Sequence, residues 1–140
     1  MTETPALVAA WWRYQRLNGG NRQDRLAADE WYWAWEEVAS MVEKRPVGAI
    51  ELLVELAEAA PSPADIGAVG AGPIEDLIDW HHAVLGSADG RPLVEGLGQA
   101  ARRSPNFRQA LGSVWYDSDE VPDHVRDQIP GFPPPLNSQS

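Results

Sequence analysis

The sequence predicts an all-α fold: one compact domain over residues 1–128, made of six or seven short, proline-led helices packed as antiparallel pairs in a bundle or short solenoid, with a flexible proline-rich tail over 129–140. Three observations predict it. Seven of the 12 prolines stand where a helix would open, a position that suits a residue with fixed φ and no N–H to satisfy. Between them apolar residues recur at three- and four-residue intervals, the period of an amphipathic helix. No β-branched run competes with that period, and 140 residues suit a single core.

Thr4-Pro5 opens the first helix, with Leu7, Ala10, Trp11, Tyr14 and Asn18 on one stripe and Asn18-Gly19-Gly20 as its stop. A second helix is expected from about Asp24 to Glu43, with Ala27, Trp31, Ala34, Trp35, Val38 and Val42 on one face. The alternating tryptophans from Trp31 to Trp35 also fit a strand, but Ala27, Ala28, Glu30, Glu36, Glu37 and Ala39 flank them without a turn residue. Pro46 opens a third helix to Ala60, with Ile50, Leu53, Val54 and Ala57 inward and Glu51, Glu55 and Glu58 lined up on another face. Ser62-Pro63-Ala64-Asp65 has the spacing of a capping box and starts a short turn that Gly67, Gly70 and Gly72 keep from extending.

Pro73 is expected to begin the next helix, with Ile74, Leu77, Ile78, His81 and Leu85 as its stripe and Gly86 as its end. Glu75 and Asp76 stand in its first turn, where the helix dipole favours anions. Pro92 starts a helix through Leu93, Leu97, Ala100 and Ala101. Ser104-Pro105 caps another, with Phe107, Ala110, Leu111, Val114 and Trp115 inward. A short helix follows Pro122, and the run from Pro130 to Pro135 reads as extended.

Charge is concentrated in the middle of the chain. Residues 46–90 hold eight Asp or Glu and no Lys or Arg, whereas each flank is close to balance, and the total is −10. A pI near 4.6 argues against nucleic acid, whose binding needs a basic surface to release counterions. The absence of cysteine removes disulfides and thiolate metal sites, and the cytosol is the expected compartment. The apolar stretch Ala6–Trp12 follows Glu3 and ends at Arg13, so neither a signal peptide nor a membrane span is expected.

Glu75, Asp79 and His82 fall at i, i+4 and i+7, a set of two carboxylates and an imidazole that suits a divalent metal or proton transfer. No second carboxylate–histidine helix completes a shell, so an exposed polar face is the simpler reading, and no metal or cofactor is assigned. His81, on the apolar stripe, reads as a hydrogen-bonded core histidine. A nucleophile elbow is absent. Gly70-Ala71-Gly72-Pro73 lacks the lysine and preceding strand of a phosphate loop, so a tight turn before a helix is the better reading. Trp11, Trp31, Trp35 and Trp115 fall on core stripes, whereas Trp12 and Trp33 point off theirs, either to pack on another helix or to anchor a partner.

The run Gly70-Ala71-Gly72-Pro73-Ile74-Glu75-Asp76-Leu77-Ile78, followed by Phe107-Arg108, Leu111 and Val114-Trp115, resembles an uncharacterised bacterial family of small helical proteins, a domain of unknown function. That family carries Ala-Gly-Pro-Leu-Glu-Asp-Leu-Leu and then Phe-Arg, Leu and Val-Trp at this spacing. The resemblance covers residues 46–116 and implies a fold without an activity. It also implies that Glu75 or Asp76 pairs with Arg108.

The expected function is that of a non-enzymatic module whose carboxylates Glu51, Glu55, Glu58, Asp76 and Asp79, with Trp12 and Trp33, engage a basic protein. An immunity or antitoxin-like inhibitor of a basic bacterial effector is its concrete form. The alternatives are a small metal-dependent or acid–base enzyme using Glu75, Asp79 and His82, and a homo-oligomer joined through Trp12 and Trp33.

Overall fold

The computed structural model describes residues 3–136. Its helices are α1 (Thr4–Asn18), α2 (Arg22–Ala28), α3 (Tyr32–Lys44), α4 (Pro46–Glu58), the single turn α5 (Gly67–Val69), α6 (Glu75–Leu85), α7 (Arg91–Arg103), α8 (Pro105–Leu111) and α9 (Asp123–Arg126). No strand occurs among the described residues, so the fold is all-α. Pro5, Pro46, Pro92 and Pro105 each stand in the first turn of their helix, where a missing N–H costs nothing. Ser104 Oγ accepts from the Phe107 N–H at 3.1 Å, which caps α8 as its sequence requires.

The stretch expected to be one helix from Asp24 to Glu43 is two. Asn21 and Asp24 cap α2 reciprocally, and Asp29–Trp31 tightens into a 3-10 turn before α3. That turn advances the chain by about 3.0 residues per turn and shifts the buried register. Ala28, Ala34, Val38 and Val42 go inside, while Leu26 and Ala27 face out. Ser62, by contrast, caps nothing with its side chain: its hydroxyl donates to Asp65 Oδ2 at 2.7 Å.

Pro73 does not begin a helix. Helical backbone runs from Gly67 to Leu85, and Pro73 lies within it, inside a π-helical turn over Gly70–Ile74. The wider turn accommodates a residue that has no N–H to give and whose ring would strike the carbonyl four residues earlier in an α-helix. Gly70 is there for a contact. A Cβ on it would lie 1.7 Å from the carbonyl oxygen of Ala110, so only glycine lets the π turn rest on α8.

The centre of the core is α4, which buries Ala49, Ile50, Leu52, Leu53, Val54, Leu56 and Ala57 against α1, α3, α7 and α8. Trp11, Phe107, Ile74, Leu77, Leu97 and Leu111 complete it. Each such side chain contributes roughly 1.5–3 kcal/mol through burial. Helix α3 also packs on α6, where Nε2 of His81 lies 2.8 Å from the Val42 carbonyl oxygen, as expected of a histidine on the apolar stripe.

At its C-terminal end the chain departs from the stripe read in the sequence. Helix α8 stops at Leu111, so Trp115 leaves the helical period and is 68 % exposed instead of buried. As far as Leu136 the segment read as a tail lies on the body: Tyr116 packs edge-to-face on Phe132 at 5.1 Å, its hydroxyl donates to the Pro133 carbonyl, and its own carbonyl accepts from the Leu136 N–H. Residues 137–140 of that tail lie outside the described residues.

Two glycines of one motif should therefore respond in opposite ways. Gly70→Ala is expected to cost about 3 kcal/mol or more in urea unfolding, because its Cβ meets fixed backbone. Gly72→Ala, with nothing within 4 Å of the added atom, is expected to be neutral or stabilising by up to ~1 kcal/mol. Equal effects of the two would contradict the packing role of Gly70.

Candidate functional site

Three surfaces gather the side chains singled out by the sequence. The first is the outer face of α4, where Glu51, Glu55 and Glu58 are all exposed. Glu51 is not uncompensated as the sequence suggests, because α7 brings Arg103 to it in an ion pair. Glu58 accepts a hydrogen bond from Ser104 at the α7–α8 junction. Both members of the Glu51–Arg103 pair are largely solvated, at 65 % and 49 % exposure, so the pair stabilises by about 0–1 kcal/mol.

The second surface is α6 with the loop after α8. Glu75 Oε1 accepts from the Trp115 N–H at 2.7 Å, which ties the start of that loop to the start of α6. Further along, Glu120 comes beside Asp79 and His82, with one ligand atom from each lying within 4.8 Å of the others. Nδ1 of His82 sits 2.7 Å from the Asp79 carbonyl oxygen, and Glu120 Oε1 accepts from the Asp117 N–H at 2.9 Å. Partial burial, and then the charges of Glu75 and Asp79, raise the Asp76 carboxyl above its ordinary value.

Two readings are corrected here. Glu75, Asp79 and His82 do not form the donor set: Glu75 is taken up by the loop backbone, and Glu120 stands in its place. Nor does Arg108 pair with Glu75 or Asp76. Its Nε donates to the Ala101 carbonyl at 2.9 Å, back onto α7. Helix periodicity sees only neighbours on one helix, so neither partner was visible in it.

Among the tryptophans, Trp33 is 41 % exposed on α3, as an anchor would need. Trp12 is buried, with its indole N–H donating to the Leu56 carbonyl at 2.9 Å, so it packs against α4 and offers no partner anchor. A homo-oligomer joined through Trp12 and Trp33 thereby loses one of its two contacts. Trp80, which no sequence stripe singled out, is 43 % exposed one turn after Asp76.

The third surface is a groove of about 530 Å³. One wall is the α1 face of Trp11, Tyr14, Gln15 and Asn18; the other is Tyr32 and Trp35 of α3; Ala68, Ala71, Gly72 and Pro73 form its floor. Tyr14 meets Tyr32 edge-to-face at 5.7 Å, and Tyr32 stacks on Trp35 at 5.5 Å and 17°. Burial, followed by Tyr32 and Asp29, raises the Tyr14 phenol above its ordinary value, so it stays a hydroxyl donor.

The chain belongs to the Family of unknown function (DUF6869), whose profile matches residues 21–131. No curated protein matches it, and no solved structure does. The matched span takes in α2 to α9 and leaves α1 outside, so one wall of the groove lies beyond what the family profile describes. No helix among the described residues is long and apolar enough to cross a membrane.

Asp76 supplies a pH test. Because the folded chain holds its proton more tightly than the unfolded chain does, the stability it contributes is full in acid and is lost as pH rises through its raised folded value. Asp76→Asn should therefore melt higher than the parent at pH 7, with the two converging below about pH 3. A difference independent of pH would show that the carboxylate charge is not the cause.

Proposed function

We propose that this chain is a non-enzymatic, cytoplasmic protein-interaction module that takes a basic partner on the acidic face of α6 and the adjoining loop, in the manner of an immunity or antitoxin-like inhibitor. The observation that carries the reading is the meeting of carboxylates from two distant stretches: Glu120 comes beside Asp79 on α6, where Asp79 also acts on Asp76. Neither stretch, 46–90 or 109–125, contains a Lys or Arg. Exposed Trp80 follows Asp79 on α6 and exposed Trp115 donates its backbone N–H to Glu75, and amphipathic aromatic anchors flanked by charge are what partner surfaces use. Glu51, Glu55 and Glu58 on α4 add to the field that steers a cationic partner. Inhibition would follow by occlusion, as carboxylates occupy Lys or Arg that otherwise bind substrate phosphate.

One observation favours a second reading, a metal-dependent enzyme: Asp79, His82 and Glu120 offer one imidazole and two carboxylates at mutual distances a divalent ion can span. Calorimetry with zinc or manganese separates the two. Stoichiometric uptake abolished by His82→Ala would favour the enzyme, and no uptake would leave the interaction module.

For the leading reading, affinity capture from native lysate should recover a basic protein that salt releases. Asp79→Lys combined with Glu120→Lys should weaken that capture at least tenfold, or about 1.4 kcal/mol, and flatten its salt dependence. The triple change Glu51→Lys, Glu55→Lys and Glu58→Lys should weaken it less. Failure to recover any salt-sensitive basic protein, or capture indifferent to the α6 changes, would defeat the proposal.

A further inference from the structure

The groove between α1, α3 and the π turn has chemistry unlike the rest of the molecule. We infer that it is a binding site for an uncharged saccharide, a ring-shaped ligand held by aromatic faces and by side-chain amides. No Asp, Glu, Lys or Arg lines it, although 23 % of the chain is charged. No lining carboxylate or cation would pair with a charged ligand there, and the Asp29 carboxylate that acts on Tyr14 from outside the lining opposes an anion, so a neutral occupant loses least on entry.

The polar groups are few. Tyr14, Gln15 and Asn18 lie on the groove face of α1, and among the described residues their side chains make no hydrogen bond to the protein. Each amide presents a donor and an acceptor side by side, the pattern that pairs with adjacent hydroxyl groups. The volume of about 530 Å³ falls within the roughly 300–1,000 Å³ of small-ligand sites.

Hydrogen-bonding capacity selects between a saccharide and a proline-rich peptide. Proline-rich segments also dock in aromatic-lined grooves, but the amides of Gln15 and Asn18 suit adjacent ring hydroxyls, which a proline ring lacks. The aromatic surface that Tyr14, Tyr32 and Trp35 together give the groove is one against which the C–H face of a sugar ring can lie. The floor suits this arrangement, since Ala68, Ala71, Gly72 and Pro73 form it without a long side chain, and the space beside Gly72 is open. This site is separate from the acidic face of α6, and its test leaves that face untouched.

The full chain, titrated with maltotriose, cellotriose and triacetylchitotriose and followed by tryptophan fluorescence and amide NMR shifts, is expected to bind at least one of them saturably. A trigalacturonate of the same length should bind at least tenfold more weakly. Gly72→Leu, whose backbone φ is not in the left-handed region and whose Cβ meets nothing within 4 Å, should abolish binding while the melting temperature is kept. Trp35→Ala and Gln15→Ala should each weaken it several-fold or more. The inference is overturned if no neutral sugar saturates, if binding survives in Gly72→Leu, or if a proline-rich decapeptide displaces the sugars as the preferred ligand.

Discussion

The contact of Gly70 with the carbonyl of Ala110 is the constraint on which the rest of the architecture turns. It lets the helical run Gly67–Leu85 seat directly on α8. From that seat Glu75 reaches the Trp115 N–H, and the loop that follows α8 is held along α6. On its other side the same segment supplies Ala71, Gly72 and Pro73 to the groove floor. One short motif thus fixes a helix junction and borders two surfaces, and the π turn is what allows Pro73 to sit inside it.

Around that junction the core is conventional in its energetics and uneven in its electrostatics. A single helix, α4, is buried on one side along its whole length and shows carboxylates on the other. Its ion pair with Arg103 is too solvated to stabilise much. The surplus negative charge is therefore tolerated by hydration and by distribution over the surface. The exception is Asp76, where partial burial and two acidic neighbours tilt the carboxyl toward its neutral form. That tilt is a small destabilisation of the folded chain at neutral pH, located on the face where carboxylates from two stretches converge.

The seven tryptophans divide by what their indoles can reach. Trp11 and Trp12 are buried edge-to-face at 4.8 Å, and Trp12 finds the Leu56 carbonyl for its N–H. Trp31 receives the guanidinium of Arg13 over its ring at 4.6 Å, and Trp35 stacks with Tyr32. Trp33, Trp80 and Trp115 remain at the surface. Helix α1 therefore serves both the core and the groove while standing outside the span matched by the family.

Helix starts and inward stripes were legible because both are local. Proline acts within one turn, and apolar side chains three or four apart share a face whatever lies opposite, so Leu53, Leu77, Leu97 and Phe107 could be placed inside from the chain alone. Departures came where a second element decides. Trp115 left its stripe when α8 ended at Leu111, Trp12 turned inward to a carbonyl 44 residues away, and Pro73 stayed within a helix because the chain widened around it against α8. Charge followed the same division. The acidity of residues 46–90 is a property of the sequence, but Arg103 beside Glu51 and Glu120 beside Asp79 join residues 52 and 41 positions apart. Amino-acid order determined which faces are apolar and which acidic; packing alone decided which of those faces meet, because contacts between distant segments depend on how helices dock.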